Sequence, residues 1–205
     1  MIGSITTNLT RTANAAGESA LGDVIADAQL ASSSPANKGG AVVAFMNPGG
    51  IRADLTFTQQ SGGEQPGQVA YSEAFTVQPF GNTVVVKTMT GDMLKRVLEQ
   101  QFDNPSPGSD RILQVANGFS YTYDRSRPAG QRVLSMTLNG QPIVATQSYR
   151  VSLNSFLATG GDNFSVFTEG TNDLGGEVDL DALAAYFGAR SPVPPGPQNR
   201  IVRVG

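Results

Sequence analysis

Three segments of the chain each place a side chain suited to binding beside residues that break the backbone. In Asn47-Pro48-Gly49-Gly50-Ile51-Arg52, two glycines free backbone amides to approach a ligand, and a guanidinium follows that can grip an anion through two hydrogen bonds. In Pro79-Phe80-Gly81-Asn82, an aromatic ring held between proline and glycine can act as a stacking platform for a base or a sugar. The third segment, Asn154 to Phe164, sets Phe156 and Asp162 around the pair Gly160-Gly161. A carboxylate there suits the hydroxyl protons of a ribose diol. Each segment also has a plainer reading: a strand-ending turn with a surface arginine, an ordinary core ring at Phe80, and an Asp162 that caps its own turn. Spacing alone leaves both readings open.

The absences narrow the chemistry further. The 205 residues include no histidine and no cysteine. That excludes a histidine general base, Ser-His-Asp and Cys-His arrangements, a reactive thiolate and a zinc site built on those ligands. Carboxylates, tyrosines, arginines and the lysines Lys38, Lys87 and Lys95 remain, a poor basis for a complete hydrolase. A pair of carboxylates of the glycosidase kind stays open, but no spacing nominates one. Asp103, Asn104, Ser106 and Asp110 resemble a calcium loop only in composition, because two prolines interrupt them and the EF-hand spacing is missing. Glu18 and Asp27 read as members of solvated faces, and Asp179 and Asp181 as stabilisers of a helix start.

Net charge is −3, from 14 basic and 17 acidic residues with no basic run, so nucleic acid and anionic membrane are not expected partners. The longest apolar run, Ala41 to Met46, is too short to insert across a bilayer. The first residues show no charged region followed by an apolar one, so no signal peptide is read. Charged residues make up 15%, against about 25% in an average domain, and the polar, glycine-rich surface this implies leans toward an exported protein.

Positioning the three segments requires a mixed set of elements. Glu18 to Ser32 reads as a helix with Ser19 as N-cap, and Leu21, Val24, Ile25 and Ala28 share one face. Ala41 to Met46 and Thr83 to Thr90 read as strands, and Thr90 caps a helix from Gly91 to Phe102. Between them, Ser61 to Gly67 reads as a glycine-rich loop and Val69 to Val77 as a short strand followed by a helical turn. Gly118 to Tyr123 alternates Phe119, Tyr121 and Tyr123 on one face, and Asn139-Gly140 joins two strands through a type I′ turn. Tyr149 to Leu153 is a strand, Asp179 to Phe187 a helix, and Arg200 to Val204 a closing strand. The expected fold is one α+β (mixed α/β) domain over residues 1–205, layered from helices and mixed sheets, with residues 1–7 as linker. Too few helices alternate with strands for a simple doubly wound sheet.

Taken in order, these pieces resemble the C-terminal domain of the 5′-nucleotidase and UDP-sugar hydrolase family. The resemblance rests on Glu18 to Ala28, Asn47 to Arg52, Gln78 to Asn82 and Asn154 to Phe164, with support from Thr90-Gly91 and Tyr121 to Asp124. It implies a nucleotide- or nucleoside-recognition domain in which Phe80 and Phe156 sandwich the base. Asn47 and Asn82 would lie near the base, Asp162 would hold the ribose hydroxyls, and Arg52 would meet the phosphate with Gly50 permitting close approach. It also implies that catalysis belongs to a separate N-terminal metallophosphoesterase domain of the same polypeptide, carrying two divalent metal ions, and that no metal or cofactor is held here. Relatives act on nucleoside monophosphates, cyclic nucleotides, sugar nucleotides or thiosulfate-linked conjugates, and a binding or adhesive module that keeps the fold is the alternative. Two departures stand out. No basic residue lies between Thr12 and Gly17, where relatives carry phosphate-binding arginines, leaving Arg11 as the nearest. Pro48 replaces a common glycine and removes one amide donor.

Overall fold

The computed structural model describes residues 1–60 and 62–205. Of the loop read at 61–67, Ser61 therefore lies outside the described residues. A five-stranded mixed sheet forms the centre, in the order β10 (Thr171–Val178), β4 (Thr83–Thr90), β9 (Ser148–Asn154), β2 (Val43–Met46), β5 (Gln114–Val115). Only β2 and β9 run parallel; the other neighbours are antiparallel.

Alternation along β2 builds both sides of the molecule. Val43 and Phe45 enter one apolar cluster, while Ala44 and Met46 enter another. The second cluster is covered by α1 (Ala20–Ser33), α2 (Tyr71–Val77) and α5 (Asp179–Arg190). The first is closed by α3 (Gly91–Glu99) and by a second sheet, in the order β11 (Ile201–Arg203), β6 (Phe119–Tyr123), β7 (Val133–Leu138), β8 (Gln141–Pro142). Phe119, Tyr121 and Tyr123 of β6 all face inward, as their alternation requires. The mixed α/β layering expected from sequence is therefore present.

Local chemistry sets the element ends. The Ser19 hydroxyl accepts from the Gly22 amide at 3.2 Å, and the Thr90 hydroxyl from the Met93 amide at 3.2 Å, so each satisfies a donor its helix leaves open. Asn139 and Gly140 have φ of 51° and 76°, the pair of positive values a type I′ hairpin turn needs.

Several expectations are corrected. The second helix ends at Glu99, not Phe102. Residues 1–7, read as linker, contain β1 (Gly3–Ser4), which pairs with β3 (Gln68–Val69), and a buried Ile5. β10 was not read as a strand, because its sequence holds Asn, Asp and two glycines; it is an exposed edge strand with irregular register against β4. Glu18 and Asp27 are not on solvated faces. Buried Glu18 accepts the Arg200 and Ile201 amides, and Asp27 takes the Arg200 guanidinium through two 2.8 Å bonds. Asp103 and Asp110 are engaged by Arg125, and Asp103 by Arg132 as well, forming an ion-pair cluster over Phe102.

Candidate functional site

β2 and β9 run parallel and finish side by side, and β4 begins at the same edge, where Val84 pairs with Asn154. Asn47 follows β2, Asn82 precedes β4, and β9 ends on Asn154. Three segments far apart in sequence thus converge at one sheet edge, outside the carboxyl ends of the parallel pair, where open α/β sheets commonly place ligands.

A cavity of about 390 Å³ opens there, within the usual range for small-molecule sites. Asn47, Gly50, Arg52, Phe80, Asn82, Phe156 and Asp162, all seven residues nominated from sequence, line it together with Gly49 and Arg111. Phe80 is 58% exposed and Phe156 44% exposed. Neither is a core ring, so the plainer reading of Phe80 does not hold. Phe156 is carried by a short helix, α4 (Ser155–Ala158), rather than by a plain loop. Its ring covers Gly161, where an added Cβ would fall 2.5–2.6 Å from ring atoms.

The polar wall is a chain of side-chain amides and charges. Buried Asn154 accepts the Leu157 amide at 2.9 Å as the N-cap of α4 and donates to Asn47 Oδ1 at 2.9 Å. Asn47 in turn donates to Asp162 Oδ2 at 2.8 Å. Arg111 Nη1 donates to Asp162 Oδ1 at 2.9 Å, and Asn104 Nδ2 to the Asp162 carbonyl at 2.7 Å. Asp162 does not cap its own turn; its carboxylate reaches two other segments. Its φ of 55° is uncommon for a residue with a side chain, and the three partners hold it there.

On the other wall, the Arg52 guanidinium lies 5.8 Å from the Phe80 ring centroid and donates to the Gly49 carbonyl at 3.2 Å. The Gly50 amide closes a turn onto Asn47 O, and a Cβ at Gly50 would approach Met46 Cε to 2.5 Å, so a larger residue there would have to shift the end of that side chain. Arg11 lies beside this loop, bonded to the Ile51 carbonyl at 3.3 Å, but does not line the cavity. Asn82 Oδ1 accepts from Ser155 Oγ at 3.3 Å, and its carbonyl accepts the amide of buried Asp179. Burial pushes the Asp179 carboxyl up to about 6, against hydrogen bonds from the Leu180 amide and the Asn82 side chain that favour its ionised form.

Arg111 was missed by sequence reasoning. It lies between the Asp103–Asp110 stretch and β5, with no glycine or aromatic beside it, and only the tertiary fold carries it to Asp162. Among the lining residues two guanidinium groups face one carboxylate, which favours an anionic ligand. The cavity therefore combines two exposed aromatic rings, a carboxylate with free lone pairs and a cationic rim. That set suits a molecule with a flat ring, vicinal hydroxyls and a negative charge.

Comparison with known proteins identifies the family. Residues 1–169 match the family model described as 5′-nucleotidase, C-terminal domain. The trifunctional nucleotide phosphoesterase protein YfkN of Bacillus subtilis is 39% identical over 165 residues, covering 77% of this chain and 10% of that protein. The cell wall protein Lmo0130 of Listeria monocytogenes is 39% identical over 176 residues, covering 83% of this chain and 21% of that protein. A crystal structure of a 5′-nucleotidase precursor from Thermus thermophilus superposes with a TM-score of 0.82 at 30% identity, over 100% of this chain and 39% of that one. This chain thus spans well under half the length of each, and the relatives carry a larger domain ahead of the matched region. By sequence and by fold, the chain belongs to the 5′-nucleotidase C-terminal domain family.

Proposed function

We propose that this domain recognises a nucleotide or nucleoside and presents it to a phosphoester hydrolase domain of the same polypeptide, in an exported protein. The observation that carries this is the placement of two half-exposed phenylalanines on the same cavity as the Asn47–Asp162 pair and Arg52. Phe80 and Phe156 take the base between them. Asp162 accepts from the ribose hydroxyls, and Arg52 binds phosphate with a planar, permanently charged fork. Asn47 and Asn82 offer amide groups to the base and the sugar.

The phosphate-cleaving step belongs elsewhere. A chain without histidine or cysteine does not fit a two-metal phosphoesterase centre, and among the described residues no group of three acidic side chains clusters as one. In this reading two divalent metals sit in the preceding domain, where they activate water and stabilise charge on the phosphoryl group. Export is supported by the resemblance to a cell wall protein and by the sparse surface charge. No helix among the described residues is long and apolar enough to cross a membrane.

Ligand-observed NMR with adenosine, AMP and a UDP-sugar tests the reading. Saturation transfer to base protons, lost in Phe156→Ala, is the expected result, and tighter binding of AMP than adenosine assigns the phosphate role to Arg52. Silence toward all three ligands counts against nucleoside recognition. It would favour a second reading, a wall-associated module that keeps the fold, which draws on the cell wall relative and on Pro48 in the binding loop.

A further inference from the structure

The cavity edge at Asp162 contains a group that the nucleoside reading does not use. Arg111 lines the cavity with 32% of its side chain exposed, and Asp162 beside it is 17% exposed. Each carboxylate oxygen of Asp162 has one partner, Asn47 on Oδ2 and Arg111 on Oδ1, so each keeps a lone pair. Arg111 carries five N–H donors, and among the described residues its side chain makes one hydrogen bond, through Nη1. Free acceptors and free donors thus lie together on one wall.

We propose that Arg111 and Asp162 together read a vicinal diol, and that Arg111 determines the preference for a ribose over a deoxyribose. This rests on the nucleoside reading above and adds the residue that sets its sugar selectivity. A hydroxyl both gives and takes a hydrogen bond. Asp162 only accepts and Arg111 only donates, so two neighbouring hydroxyls can each satisfy both roles against this pair. A sugar lacking one hydroxyl loses one hydrogen bond to each of these charged groups, a loss of about tenfold or more in affinity. Arg111 also restrains the Asp162 carboxylate, which sits on a positive-φ residue behind a glycine pair.

The test is an NMR titration of the 205-residue chain with adenosine, 2′-deoxyadenosine and 3′-deoxyadenosine, in wild type, Arg111→Gln and Arg111→Lys. The wild type is expected to bind adenosine about tenfold tighter than either deoxynucleoside. In Arg111→Gln this ratio should fall, because adenosine loses the Arg111 contact at two hydroxyls and each deoxynucleoside at only one, while Asp162 retains the remainder. Arg111→Lys should keep part of the ratio, since it keeps charge and donors but not the fork. Equal losses for all three ligands in Arg111→Gln would reduce Arg111 to a structural brace and overturn the proposal, as would an unchanged ratio. A wild type that binds all three equally overturns the diol reader and leaves nucleoside recognition standing. A wild type that binds none overturns both.

Discussion

Phe80 and Phe156 are the residues whose removal should separate binding from stability. Both rings are half-exposed, so neither contributes the burial that a core ring does. Stacking on a base is worth about 1–3 kcal/mol per ring. Each Phe→Ala change should therefore weaken nucleoside binding by roughly 5- to 150-fold while shifting Tm little, as read by titration and thermal melting of the same samples. Asp23 makes the opposite case. It is buried beside Glu18 and Asp27, and its Oδ2 lies 3.8 Å from Arg200 Nε. Burial pushes its carboxyl up to about 8, with Glu18 and Asp27 adding to the rise and Arg200 opposing it. The folded chain then holds a proton that the unfolded chain releases above its ordinary value of 3.8. Because the folded state binds more protons across that window, stability falls as pH rises from about 4 to about 8. Thermal melts between pH 5 and 8 should show a declining Tm in wild type and a flatter profile in Asp23→Asn. Equal slopes in the two proteins would count against a proton held at Asp23.

At the scale of elements, the site depends on how short segments start and what they rest on. Asn154 ends β9, caps α4 and bonds to Asn47, so one side chain links the central sheet to the helix bearing Phe156. Gly161 lies under that ring, and an alanine there would displace it. Gly161→Ala should lower nucleoside affinity to the level of Phe156→Ala with little loss of Tm, because the ring can swing into solvent rather than strain the backbone. If affinity stays at the wild-type value, the ring does not act from the position described. The helix caps report on stability instead. Ser19→Ala removes the acceptor for the Gly22 amide and should cost about 1 kcal/mol in denaturant unfolding, without changing the ligand ratio of any nucleoside pair. The Ser19 and Thr90 caps were legible from sequence, because a hydroxyl just before a periodic apolar run needs only local chemistry to act, whereas the Asn154 cap was not. β10 was not, because an edge strand of glycine and polar residues forms on the pairing offered by β4 rather than on any preference of its own.

For the whole molecule, the proposed division of labour gives this fold the binding cavity and a neighbouring domain the reaction. This chain covers 39% of the related 5′-nucleotidase precursor structure and contains no histidine or cysteine. The 205-residue chain should release no phosphate from AMP with Mn²⁺ or Mg²⁺ present, and chelation should leave its Tm unchanged. Measurable metal-dependent phosphate release would require a catalytic site that the proposed division of labour does not contain. The cationic balance of Arg52 and Arg111 against Asp162 further predicts that AMP binding weakens with added salt more than adenosine binding does, since only the nucleotide gains from the charges.

What the amino-acid sequence determined by itself was local or exclusionary. The absence of histidine and cysteine ruled out whole classes of catalysis, and capping residues, the Asn139-Gly140 turn and apolar periodicity marked most elements. Wording shared with a known family joined seven residues that no spacing rule would have joined, and the fold places all of them on one cavity. Tertiary structure alone decided whether Phe80 was core or rim, because exposure depends on what packs against a ring and not on its neighbours in the chain. It also turned buried Glu18 and partly exposed Asp27 into partners of the segment at Arg200–Ile201, and it brought Arg111 to Asp162 across a gap of 51 residues. Interactions of that kind leave no local trace, since the parallel pairing of β2 with β9 and its antiparallel extension to β4 create the shared edge on which the site is built.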